Sequence, residues 1–309
     1  MSNLQLFLIS TLILCACSSS KNYTYSAPNP NKDVVYNNLN EALLKSKKTE
    51  FLNLRNQELT EVNPDIQKLT ALKFLNLMKN KLPNLPTAVC QLKELRELNI
   101  RDNKITALNP EIKNLKELLT LDMAKNKITV FPAEFGSLSK LQNLFSSSNA
   151  IESLDATFSQ LNNLRYLEFQ NNQISRLSAH LSQLQNLVYL NFSNNKITQI
   201  DSQVFKNKTQ LKTINLELNQ LKQLPSTIGE CSSLSTLILS FNQLSTLPSS
   251  ICQLSDLEVL LLSGNQLTTL PSNIENLKNL RTLILKDNPM DASEINRIKK
   301  ALPLCTVIF

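Results

Sequence analysis

The chain has 309 residues, a formal net charge of +7, and only 3 Gly, 1 His and no Trp. So small a stock of the residues used for phosphate-cradling loops, proton shuttles and imidazole metal sets argues against an enzyme, and no cofactor or metal is expected. Its basic residues are scattered among acidic and polar ones, which points to a solvated surface and away from a nucleic-acid partner.

Residues 1–16 contain no Lys, Arg, Asp or Glu and carry the apolar run LQLFLISTLILCA. That run is too short to cross a bilayer but suits the core of an export signal. Its end, Leu14-Cys15-Ala16-Cys17, resembles the lipobox of bacterial lipoproteins. The resemblance implies cleavage after Ala16 and thioether acylation of Cys17, hence a chain anchored to the bacterial cell envelope. Ser18 in place of Asp after that cysteine is what the resemblance associates with the outer membrane. A secretory signal cut near Ala16, with Cys17 a bystander, is the alternative. Residues 17–32, rich in Ser, Asn and Pro, read as a polar tether holding a domain off the membrane.

Residues 33–48 place Val35, Leu39, Ala42 and Leu43 at helical spacing. An amphipathic helix is expected there, covering the exposed end of the repeats that follow.

From 49 to 289 one pattern recurs. A column reads Gln57, Asn80, Asn103, Asn126, Asn149, Asn172, Asn195, Asn219, Asn242, Asn265 and Asn288, spaced 23 residues apart except for 24 between Asn195 and Asn219. Eleven turns of a coil are therefore expected, each stable only when stacked on its neighbours. Before each column residue the chain reads L-x-x-L-x-L, whose last leucines alternate with outward residues as in a short half-buried strand. Successive strands about 4.8 Å apart would form a parallel sheet along the inner face. The asparagine amide, able to donate and accept, can satisfy backbone groups of adjacent turns that water cannot reach.

The spelling of turn 10, LEVLLLSGNQLTTLPSNIENL, resembles the 23-residue class of the leucine-rich repeat family, over about Glu50 to Pro289. The resemblance implies an α/β solenoid with a curved parallel sheet on its concave face.

Pro86, Pro132, Pro225, Pro248 and Pro271 share a column just past a buried apolar residue, where an extended connection needs no backbone donor. Turns 5 to 7 hold Asp155, Ser178 and Asp201 instead, turn 7 has the extra residue, and Ser146 replaces an inward strand leucine. Weaker local packing is expected there. Beyond Pro289, Ser293 is a candidate cap for a helix over Glu294 to Leu302 that buries Ile295, Ile298 and Leu302. Thr306 to Phe309 read as a last strand shielding the sheet edge. This ending, residues 290–309, resembles the closing cap of secreted bacterial leucine-rich repeat proteins, with no catalytic domain appended.

Cys231 and Cys252 lie in adjacent turns and are the one pair placed to bridge; otherwise they and Cys90 read as core thiols. With no C-x-x-C there is no zinc signal. His180 stands alone on the convex side, as a surface imidazole.

What remains is the outward face of the strands. One column passes through Asn53, Asn76, Asn99, Asp122, Phe145, Glu168, Asn191, Asn215, Ile238, Leu261 and Ile284, and a neighbouring one includes Tyr166, Tyr189 and Val259. Phe145, Tyr166, Glu168, Tyr189 and Asn191 make a central cluster, and Ile238, Val259, Leu261 and Ile284 read as an exposed apolar stripe. Such a stripe marks a ligand surface, unless cross-strand packing accounts for it. The expected function is a non-enzymatic module that binds a protein partner through the concave face. A structural or adhesion role through many weak contacts, or glycan recognition by the polar first half, is the alternative.

Overall fold

The computed structural model describes Pro28 and residues 33–309; Cys17, the leader and most of the tether lie outside the described residues. Within them, eleven three-residue strands run from Phe51–Asn53 in turn 1 to Thr282–Ile284 in turn 11. Each pairs in parallel with the strand of the next turn, with identical repeat positions in register. Two further strands close the ends: Val35–Tyr36, and Thr306–Ile308, which pairs in parallel with turn 11. The sheet thus has 13 strands among the described residues. The opposite side of the coil carries 3-10 helices of three to five residues, such as Pro64–Lys68 and Ser226–Glu230. Helices on one side and strands on the other give unequal spacing per turn, which curves the solenoid around its sheet.

The columns fill a continuous core. The middle residue of each repeat strand, from Leu52 to Leu283, is at most 1% exposed. Burying each such side chain contributes roughly 1.5–3 kcal/mol, none of it available to a turn standing alone.

Asparagines stitch the turns together as expected. In turn 6, Asn172 Nδ2 donates to Ser146 O at 2.9 Å in the previous turn and to Phe169 O at 3.0 Å in its own, while Oδ1 accepts from Ile151 N at 3.0 Å. Asn126, Asn195, Asn219, Asn242 and Asn265 make the same set. Gln57 turns its side chain the other way, donating from Nε2 to Asn37 O at 2.8 Å.

Two local expectations need correction. The N-terminal helix spans only Leu39–Leu44, because Asn38 caps it, accepting from Asn40 N at 2.8 Å, and Val35–Tyr36 extend as a strand. Ala42 is fully buried and Leu39 and Leu43 pack against the core, so the covering face is the expected one. The C-terminal helix, Ala292–Ala301, is capped by Asp291 and not Ser293: Asp291 Oδ1 accepts from Glu294 N at 2.8 Å, three residues on, as a cap must. Glu294 is itself buried and closes the last turn, accepting from Leu270 N at 2.7 Å, while Arg297 donates to Glu294 and to Leu270 O. Ser146 is fully buried with a hydroxyl that has no hydrogen-bond partner, and Phe169 and Phe192 follow it in the same column of the next two turns. Phe131, Phe158, Phe169 and Phe192 form a contiguous cluster of rings in this region, with centroids 4.9–6.0 Å apart.

Loss of proline has its own consequence. Where Asp201 stands in the proline column its N–H donates to Leu177 O at 2.9 Å, and Gln199–Ile200 pairs with Arg176–Leu177 in a second, two-stranded sheet. Pro225, in turn 8, has no N–H to extend it. The extra residue of turn 7 falls just beyond. Here no 3-10 helix forms, Asn207 takes a left-handed conformation (φ 56°), and Lys208 occupies the core column that holds Leu184 before it and Cys231 after it. Lys208 is 1% exposed and its Nζ donates to Ser182 O and Leu184 O, each at 3.1 Å. Burial pulls its pKa down to about 8.

Candidate functional site

Backbone hydrogen bonds hold the concave face rigid, so its chemistry depends on which side chains rise from it. Of the nine residues singled out from the sequence, seven are buried: Phe145, Glu168, Tyr189, Asn191, Ile238, Leu261 and Ile284 are 2–7% exposed. Tyr166 and Val259 are half-buried. The apolar stripe of turns 9 to 11 is therefore not an exposed one. In-register strands set Ile238, Leu261 and Ile284 side by side, and branched side chains at that spacing close over one another. They form a packed floor.

The polar half of the same column is largely occupied by its own backbone. The side-chain oxygens of Asn76, Asn99, Asp122, Asn191 and Asn215 each accept from the N–H two residues ahead, at 3.0–3.1 Å. These are local caps that turn the chain out of the strand.

Turns 5 and 6 break this rule. Phe145 pairs in register with Asp122 on one side and Glu168 on the other. Arg101 Nη1 stands 3.8 Å from Asp122 Oδ2. Glu168 accepts from Gln170 Nε2 at 3.3 Å, but Glu168 Oε1 and Gln170 Oε1 are buried acceptors with no hydrogen-bond partner. Burial pushes the Glu168 carboxyl above the usual range, the Gln170 hydrogen bond opposes the rise, and Asp122 adds to it. Tyr166 and Tyr189 stack across the adjacent strands at 6.3 Å and 30°.

Side chains missed in the sequence lie one step further along the turn. The residue before each Asn-column member adopts positive φ in all eleven turns: Asn56, Lys79, Asp102, Lys125, Ser148, Asn171, Asn194, Leu218, Phe241, Gly264 and Asp287. Leu and Phe are poor choices for that backbone, which costs an L-residue roughly 1–2 kcal/mol, and neither has a polar group to offset it. Leu218 and Phe241 are nevertheless 48% and 49% exposed, in adjacent turns. A Cβ on Gly264 would lie 2.6 Å from Phe241 Cδ1, so the bare glycine of turn 10 makes room for the ring. Glu217, beside Leu218, is half-buried and its carboxyl is pushed up by burial. Two apolar letters in an otherwise polar column were the available signal.

The thiols do not offer a nucleophile. Cys90, Cys231, Cys252 and Cys305 are all unbridged, Cys231 and Cys252 included. Burial pushes Cys90 and Cys231 up to about 12 and Cys252 and Cys305 to about 11, so the thiolate is disfavoured. His180 is exposed, and no metal-ligating cluster occurs among the described residues.

Three family models match the chain: "Leucine-rich repeat region" over residues 203–302, "Leucine rich repeat" over 93–151, and "Leucine Rich repeats (2 copies)" over 162–207. A search of curated proteins gives no match. Among solved structures, an internalin (inlF) of Listeria monocytogenes is 23% identical with a TM-score of 0.68, covering 86% of this chain and 82% of its own. A chain of the octameric complex of Latrophilin 3, Unc5D and FLRT2 is 23% identical with a TM-score of 0.73, covering 84% and 83%. A chain of the Toll–Spatzle complex of Drosophila is 26% identical with a TM-score of 0.71, over 78% of this chain and 33% of that one. These likenesses share the parallel-sheet solenoid.

Proposed function

The chain belongs to the leucine-rich repeat family, and from that premise we propose that it is a non-enzymatic module that binds another protein through its concave face. In the same reading it is exported and held at the bacterial cell envelope, in the outer membrane, by acylation of Cys17. The observation that carries the binding role is the Leu218–Phe241 pair. Both side chains are half-exposed at backbone positions that disfavour them. Neither belongs to the hydrophobic core, and the nine other turns hold Asn, Lys, Asp, Ser or Gly at the same place. Strain kept at an exposed apolar site is best explained by contact with something else. Tyr166, half-buried and stacked on the buried Tyr189, adds one large rigid ring in turn 6 of the kind that suits a protein interface. A 26% identical chain is part of the Toll–Spatzle complex, an assembly of proteins, which supports a protein as the class of ligand.

The test is Leu218→Asn with Phe241→Asn, which places in turns 8 and 9 the residue type that turns 6 and 7 already use. Thermal stability should hold or rise, while affinity for a partner captured from the cell envelope should fall about tenfold or more, as for loss of hot-spot side chains. Unchanged affinity in the folded double variant would remove this surface from consideration. Mass spectrometry of the N-terminal peptide reads the acylation of Cys17 independently.

A further inference from the structure

Glu168 stands out on the sheet face because the structure gives its charge too little to do. Its equivalents Asp122 and Asn191 each cap the N–H two residues ahead, and Asp122 has Arg101 within 3.8 Å. Glu168 is 7% exposed, makes no ion pair among the described residues, and keeps one carboxylate oxygen, Oε1, without a partner. Two residues along the same strand direction, Gln170 spends its amide nitrogen on Glu168 Oε2 and leaves Oε1 of its own amide unsatisfied. Two residues the other way stands Tyr166, half-buried, its ring backed by Tyr189. Residues at i, i+2 and i+4 of an extended segment rise from one face, so an aromatic plane, a carboxylate and an amide oxygen stand in a row.

We infer that turn 6 carries a subsite for one guanidinium group, the arginine side chain of a bound protein, held between Tyr166, Glu168 Oε1 and Gln170 Oε1. The inference rests on the protein-binding reading and specifies the chemistry of its partner. Two buried acceptors with no donor between them select an occupant that donates and does not accept. A hydroxyl or amide brings an acceptor of its own, whereas guanidinium offers five N–H donors in a planar fork that also stacks on an aromatic face. Arg101, the resident cation, is engaged with Asp122 and acts on Glu168 only at a distance. Glu168 and Gln170 lie on the inner face of the sheet, over which no further layer packs among the described elements, so neighbouring side chains alone cover them. A rotamer change then suffices to uncover both oxygens. The carboxyl must be ionised to bind, and because burial raises its pKa, arginine binding should release a proton wherever the free carboxyl is still protonated.

The experiment uses the full chain with ring-labelled tyrosine, of which there are 5, and two probes, N-acetyl-L-argininamide and the neutral isostere N-acetyl-L-citrullinamide. Argininamide should shift the Tyr166 ring signals saturably, with that signal assigned by Tyr166→Phe, and citrullinamide should leave them in place. Glu168→Gln, which keeps the shape and removes the charge, should weaken argininamide binding about tenfold without moving the melting temperature downward. Equal response to both probes, no shift at Tyr166, or full affinity in Glu168→Gln overturns the subsite. The two readings separate cleanly. If Glu168→Gln captures a partner normally while Leu218→Asn with Phe241→Asn does not, the subsite falls and protein binding stands. If argininamide binds as described but every concave-face variant captures the partner normally, protein binding through this face falls and the subsite stands.

Discussion

Lys208 gives the sharpest test of how the seventh turn is built. It fills a leucine column, is 1% exposed, and its pKa falls from 10.5 to about 8 because burial penalises the charge. The unfolded chain therefore holds this proton more tightly than the folded one, and between about pH 8 and 10.5 raising the pH stabilises the fold. Below that window the full penalty applies, about 3 kcal/mol at pH 7; by pH 9.5 about 2 kcal/mol of it is relieved. Lys208→Met removes the titration, keeps the length of the side chain, and gives up two hydrogen bonds. Ser182 O retains Gln185 Nε2 at 2.6 Å, so the loss falls on Leu184 O, a cost of about 1–3 kcal/mol. At pH 7 the variant should accordingly be as stable as the parent or about 2 kcal/mol more stable. Urea unfolding of both proteins at pH 7.0 and 9.5 measures the difference, and titrations common to both cancel. The stability of Lys208→Met relative to the parent should drop by about 2 kcal/mol between the two pH values. A difference that does not change with pH would show that Lys208 is solvated, and the account of the insertion would be wrong.

The asparagine ladder and the glycine of turn 10 offer further tests. Asn172→Ala leaves Ile151 N without a partner in a dry interior, while Ser146 O keeps Asn149 Nδ2 and Phe169 O keeps Asn195 Nδ2, and should lower unfolding free energy by about 1–3 kcal/mol in denaturant titrations. A loss below about 1 kcal/mol would mean that water replaces the amide. Gly264→Ala should cost about 1–2 kcal/mol from its φ of +63° alone, plus a steric part from Phe241. In a Phe241→Ala background only the first part should remain, so a double-mutant cycle should show coupling, and additive effects would refute the close approach.

The asparagine column, the leucine spacing and the count of eleven turns are local statements, legible because every turn repeats the same solution to the same packing problem. So was the inner-face position of Phe145, Tyr166 and Glu168, since strand alternation decides it. Exposure was not legible. Whether Ile238 is open or covered depends on Leu261 and Ile284 standing beside it in register, which is a relation between turns and not a property of any one.

The sequence by itself thus determined the period, the buried columns and the polar stitching of this protein, because each is set by alternation and spacing along one strand. Only the tertiary structure decided which surface residues stay reachable, and it moved attention from the packed stripe to Leu218, Phe241 and the carboxylate of Glu168. It also placed Lys208, which sequence spacing had not singled out, in the core. The physical reason is common to both: burial and hydrogen-bond satisfaction are summed over neighbouring turns, and a side chain with ordinary chemistry becomes exceptional only when the turn next to it fails to supply its partner.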